Sequence, residues 1–154
     1  MKDTIHKPRL GIYAGSFDPF HIGHLDVVKQ AAEVFDKVLV AKGINPEKDT
    51  RDTYPVPLHF LNDMGIYVRN FDGLLVELIK ECEKEFNVTL VRGLRSGADL
   101  DYEQNFAAFL RNMYPKVKIV AFYSDPQFRH ISSTALRGIK KFSDAEYRKY
   151  VVED

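Results

Sequence analysis

LGIYAGSFDPFHIGHLDVVKQAAEVFDKVLVAKG, residues 10–43, reads as strand, turn, helix and strand in quick succession. The apolar run 10–14 ends at Gly15 and suits a buried strand. From His24 onward Leu25, Val28, Ala31, Ala32 and Phe35 recur at helical spacing, with Asp26, Lys29, Gln30 and Glu33 between them. Residues 37–43 form a second apolar run. Together these make a βαβ unit, whose crossover is expected to be right-handed.

The same alternation continues outward. Strands are expected at 65–68, 88–91 and 118–122, and helices at 74–86, at 102–113 and from Ser132 to about residue 139. Near-continuous apolar strands between amphipathic helices point to a five-stranded parallel sheet covered on both faces. The chain is accordingly read as one α/β doubly wound domain, residues 1–154. Ligands bind beyond the carboxyl ends of the strands in such sheets. Residues 49–63, with Pro55 and Pro57, disfavour a helix and are expected to be a loop at the mouth of the site.

Charge and composition exclude several classes. Lys plus Arg and Asp plus Glu both number 22, so no general electrostatic grip on nucleic acid or on an anionic membrane is expected. No apolar stretch approaches the ~20 residues of a membrane span, and the start, MKDTIHKPR, does not read as a secretory signal. Cys82 is the only cysteine, so an intrachain disulfide and a thiolate metal cluster are excluded. A reducing, cytoplasmic compartment is the default.

Four short segments carry the chemistry. In GSFDPFHIGH, residues 15–24, Gly15 is expected to let the strand end turn sharply, and Ser16 offers a hydroxyl and an amide to a phosphate. His21 and His24 share a helical face, and the helix start beneath them is expected to supply free amides for an anion. Gly23 would leave room for a ligand against the turn. No Glu or Cys stands at a metal-binding offset, so metal ligation by these histidines is not expected. In VRGLR, residues 91–95, Arg92 and Arg95 can reach one polyphosphate from two sides. Ser132, Ser133 and Thr134 open a helix and form a second anion cradle. Lys48, in NPEK just past the second strand, could bind an acceptor phosphate.

With GSFDP, the glycine and histidine of HIGH, NPEK, VRGLR followed by Tyr102 and Glu103, and ISS, the sequence resembles the phosphopantetheine adenylyltransferases from about residue 10 to 139. The resemblance implies a Rossmann-like fold and adenylyl transfer from ATP to 4′-phosphopantetheine, giving dephospho-coenzyme A and pyrophosphate. It implies His24 as the catalytic residue, with Ser16 and Phe17 beside it. Gly93, Leu94, Arg95, Glu103 and the loop Phe128, Arg129, His130, Ile131, Ser132, Ser133 and Thr134 would hold ATP. Ser16, Lys48, Leu75 and Arg92 would hold the phosphopantetheine. Magnesium would ride on the ATP phosphates without a dedicated protein ligand. A cytoplasmic homo-oligomer is implied, since the family is hexameric. Nucleic-acid and membrane partners are not.

The sequence departs from that family in three places. His21 stands where the family usually has Thr, the segment after Lys48 is short and lacks a Glu-Arg-rich helix, and the usual last helix is not recognised. A nicotinate or nicotinamide mononucleotide adenylyltransferase, or a non-catalytic nucleotide-binding protein on the same fold, are the alternative readings.

Overall fold

The order of elements in this computed structural model, which describes residues 6–154, is that of a doubly wound sheet. Strand β1 (Arg9–Gly15) leads to α1 (Ile22–Val34) and β2 (Lys37–Gly43), then α2 (Leu58–Asp63), β3 (Tyr67–Phe71) and α3 (Leu75–Cys82). Next come β4 (Asn87–Leu94), α4 (Gly97–Met113), β5 (Ile119–Tyr123), α5 (Ser133–Lys140) and α6 (Asp144–Arg148). All strand pairs are parallel, in the order β3-β2-β1-β4-β5. The chain winds outward from β1 to β3, then crosses back to lay β4 on the other side of β1. That reversal opens a crevice between β1 and β4.

Alternation along the central strands feeds two cores. Leu10, Ile12, Ala14, Leu39 and Leu90 face Val76 and Ile79 of α3 and Leu110 of α4. Tyr13, Val38, Val40 and Val91 face Val27, Val28 and Ala31 of α1 and Leu61 of α2. Burying one such aliphatic side chain is worth roughly 1.5–3 kcal/mol, so both sheet faces commit the register. In that register Gly15 lies opposite Lys42 and Tyr13 opposite Val91. A third cluster, Ile131, Leu136 and Tyr147 with Ile22, Tyr150 and Val151, ties α5 and α6 to the start of α1.

Several elements differ from the sequence reading for identifiable reasons. Within 49–63 a helix does form, α2, because the prolines precede it and Pro57 serves as its N-cap. Strand β3 starts at Tyr67, after Gly65 and Ile66 close the end of α2 through bonds to Asn62 and Leu61 carbonyls. Helix α3 ends at Cys82, and residues 83–86 continue as turns, with the Glu85 and Phe86 amides both donating to the Cys82 carbonyl. Helix α4 starts at Gly97, because the Ser96 side chain caps the Asp99 amide. A last helix is also present: Ser143 accepts from the Glu146 amide and starts α6, a capping signal written in the sequence.

Candidate active site

The turn between β1 and α1 is shaped by close contacts of ring and backbone. Phe17, not Gly15, takes the left-handed conformation, at φ 50°. A Cβ on Gly15 would meet the Phe17 ring at 3.1 Å, so its glycine makes way for that ring. Similarly, a Cβ on Gly23 would lie 2.9 Å from His21 Cε1. The His21 imidazole packs against Gly23, which itself lines the cleft described below.

That imidazole closes the start of α1. His21 Nδ1 accepts from the Gly23 amide at 3.1 Å and from the His24 amide at 3.4 Å. The Ile22 amide donates to the Tyr150 carbonyl (2.9 Å) and the Leu25 amide to the His21 carbonyl (3.0 Å). The free amides expected here are therefore all engaged. What the helix start presents instead is imidazole.

Each ring is fixed in tautomer by its partner. His24 Nδ1 accepts from the His21 amide at 3.1 Å. With Nδ1 an acceptor on both rings, the neutral proton sits on Nε2 in both. The rings stack at 3.6 Å between centroids, and Phe17 and Phe20 enclose His24 at 4.9 and 5.3 Å. Burial, together with the Arg95 charge, lowers the His21 pKa to about 4. Burial, then His21 and Arg95, hold His24 well below the usual histidine range. Both are neutral donors at physiological pH.

This has a measurable consequence. Unfolded histidine takes a proton near pH 6.5, whereas folded His21 takes one only near pH 4. Between these values the unfolded chain binds more protons, so the histidine contribution to stability is full above pH 6.5 and is lost as pH falls towards 4. ¹⁵N spectra of labelled histidine should show two Nε2–H imidazoles that do not titrate between pH 8 and about 5.5. A titration at ordinary pH from either ring would contradict the assignment.

The rings open onto a cleft of about 340 Å³ at the carboxyl ends of β1 and β4. Of the residues singled out from the sequence, Gly15, Ser16, Phe17, His21, Gly23, His24, Arg92, Gly93, Arg95, Glu103, Ser132, Ser133 and Thr134 line it. Ser132 caps the Ala135 amide at the start of α5 (3.1 Å), and the Ser133 hydroxyl donates to the Pro19 carbonyl (2.9 Å). Tyr102, which stands in the family motif, lines the cleft as well, as do Tyr13, Asp99 and Ser124, which no motif marked.

The two arginines arrive already braced. Arg92 forks onto Glu103 through Nε (2.7 Å) and Nη2 (2.9 Å) and donates through Nη1 to the Ala14 carbonyl. Arg95 forks onto Asp99, at 3.0 and 3.2 Å, and donates to the Ile131 carbonyl at 2.9 Å. Arg129 Nε in turn donates to the Arg95 carbonyl. Thus Arg95 fastens the 128–134 loop to the end of β4.

The remaining sequence candidates lie outside the cleft lining. Leu75 packs against the core on the α3 side of the sheet. Leu94 lies with Tyr123 and Arg129 in a neighbouring groove. Phe128 and Ile131 belong to the third hydrophobic cluster, and the His130 ring stands edge-on to Tyr150 at 6.4 Å. Lys48 is bonded to Asp18 Oδ2. Asp18 Oδ1 also accepts from Lys42 (2.7 Å) and from the Tyr54 amide (2.9 Å). Burial pushes the Asp18 carboxyl up, but these bonds outweigh it and hold the group below its ordinary range. Lys42 was missed in the sequence, where its signal is a charge inside the otherwise apolar strand KVLVAKG.

Among the described residues there is no group of three or more His, Cys, Asp or Glu placed to hold a metal ion. No helix among them is long and apolar enough to cross a membrane.

Known proteins resemble the chain in sequence and in fold. The cytidylyltransferase-like family model matches residues 12–139. The phosphopantetheine adenylyltransferase of Beijerinckia indica is 38% identical over 140 residues, covering 84% of this chain and 82% of that protein. The one from Clostridium beijerinckii is 34% identical, covering 87% and 86%. In fold, the chain superposes on the nicotinic acid mononucleotide adenylyltransferase of Plasmodium falciparum, solved with NaAD, at a TM-score of 0.56. That likeness has 18% identity and covers 94% of this chain and 90% of the other. A parallel sheet of this order, a GSFDP turn bearing HIGH, and relatives of one name matched over more than four fifths of their length lead to one conclusion: the chain belongs to the phosphopantetheine adenylyltransferase family of nucleotidyltransferases.

Proposed function

We propose that the protein transfers the adenylyl group of ATP to 4′-phosphopantetheine, releasing dephospho-coenzyme A and pyrophosphate. The observation that carries this reading, beside family membership, is the pair of neutral imidazoles turned to a cleft lined by arginines and hydroxyls. An oxygen of the acceptor phosphate attacks the α-phosphorus, and the bond to the pyrophosphate oxygen breaks. The attacking oxygen is already ionised, so no general base or covalent intermediate is needed. Catalysis is then positioning and stabilisation of charge. The Nε2–H groups of His24 and His21 suit the oxygens of the α-phosphate. Arg95 and the Ser132, Ser133 and Thr134 edge suit the departing phosphates, and Lys48 suits the acceptor phosphate.

The cleft carboxylates, Asp99 and Glu103, are both engaged by arginines. Magnesium is read as arriving on the ATP phosphates, held by phosphate and water. An exposed stripe of Tyr102, Phe109 and Met113 along α4 supports self-association. Cys82, whose thiol burial pushes up, makes no demand for an oxidising compartment, in keeping with a cytoplasmic enzyme.

Pyrophosphate release with ATP and a panel of acceptors tests the reading. Phosphopantetheine should be the best acceptor, and better use of nicotinamide mononucleotide would overturn the claim. In the same assay Arg95→Lys should raise the KM for ATP about tenfold or more. A point ammonium cannot hold Asp99 and the Ile131 carbonyl at once while also meeting a phosphate. Unchanged KM and kcat would remove Arg95 from the ATP site.

A further inference from the structure

Three cationic groups converge on one residue of the GSFDP turn. Lys42 and Lys48 share the Asp18 carboxylate, and Arg137 Nη1 donates to the Asp18 carbonyl at 2.6 Å. The two lysines differ in setting. The Lys42 side chain is 5% exposed, whereas that of Lys48 is 28% exposed and comes from the loop past β2. Lys42 also donates to the carbonyl of Ser16, which lines the cleft. It is thus almost wholly withdrawn from solvent and touches two points of the turn.

We propose that Lys42 is a positioning residue, the permanent counter-ion of Asp18 that leaves Lys48 free to move to the acceptor phosphate. This rests on the reading of Lys48 as the acceptor's phosphate ligand. A buried carboxylate with one cationic partner cannot release it, because the stranded charge would be left without water or counter-charge. Asp18 has two. When Lys48 leaves, Lys42 and the Tyr54 amide still satisfy the carboxylate, and the turn carrying Ser16 and Phe17 keeps its shape. Until acceptor arrives, Asp18 holds the Lys48 ammonium in place.

Lys42→Met should then trap Lys48 on Asp18. The KM for phosphopantetheine should rise about tenfold or more, while the KM for ATP stays within about twofold. Adding Asp18→Asn to Lys42→Met removes the trap, and acceptor KM should return to within about threefold of wild type. A folded Lys42→Met protein with unchanged acceptor KM overturns the proposal, as does an equal rise in both KM values. Should Lys42→Met fail to fold, the wild-type protein with ¹⁵N-labelled lysine still decides. On adding phosphopantetheine, the Lys48 ammonium resonance should shift and that of Lys42 should not. A shift of Lys42 overturns this inference alone. If Lys48→Ala leaves acceptor KM unchanged, the assignment of Lys48 falls, and the role of Lys42 with it.

Discussion

His24→Ala should lower kcat by at least about a hundredfold while the protein stays folded. Loss of one preorganised donor to developing charge typically costs ~10²–10³ in rate. Here the donor is the Nε2–H of a half-buried, neutral ring whose other nitrogen is occupied by the His21 amide. Substrate binding should suffer less, since the expected benefit is greatest where charge builds at the α-phosphorus. Turnover near wild type would take His24 out of the mechanism. A parallel fall in melting temperature would mean that the substitution acts through the lost cap on the His21 amide.

The largest effect on stability should come from Asp18→Ala. Lys48 can retreat to water, but Lys42 is 4% exposed and would be left as an uncompensated buried charge. Removing one partner of a buried pair costs about 3–5 kcal/mol. At roughly 2–4 °C per kcal/mol for a chain of this size, the melting temperature should fall by about 6–20 °C. Thermal unfolding by circular dichroism measures it. A fall of less than about 3 °C would mean that Lys42 finds another partner or reaches solvent.

The contrast between these two residues shows what the sequence could reveal. His24 was recognisable because its chemistry is local: a glycine-bounded turn after an apolar strand, with a helix behind it. The central strands β1, β2 and β4 were recognisable for a related reason, since each carries a near-continuous apolar run, whereas the edge strand β3, with Arg69 and Asn70, was placed two residues early. Asp18 stood in the same quoted motif, yet nothing local showed that its partners come from β2 and from the loop before α2. Pairing across strands depends on register, and only the register of β1 with β2 sets Lys42 opposite Gly15. The Arg92–Glu103 fork was hidden in the same way. Both residues were marked for ligands, but α4 returns Glu103 to the end of β4 and joins them. The free amides expected at α1 failed through an unusual cap. Histidine seldom serves there, and the tail that engages Ile22 lies at the far end of the chain.

That tail has a consequence for how the enzyme is made. Tyr150 accepts the Ile22 amide, Val151 bridges to His21, and the Val152 amide donates to the Phe20 carbonyl. During translation the amino-terminal βαβ unit leaves the ribosome early, and domains fold as their parts emerge. The turn that carries both imidazoles nevertheless lacks its outer backbone partners until these late residues are released. Closure of the imidazole-bearing turn therefore waits on residues 150–152, and a chain not yet synthesised to that point holds its parallel sheet without these backbone bonds.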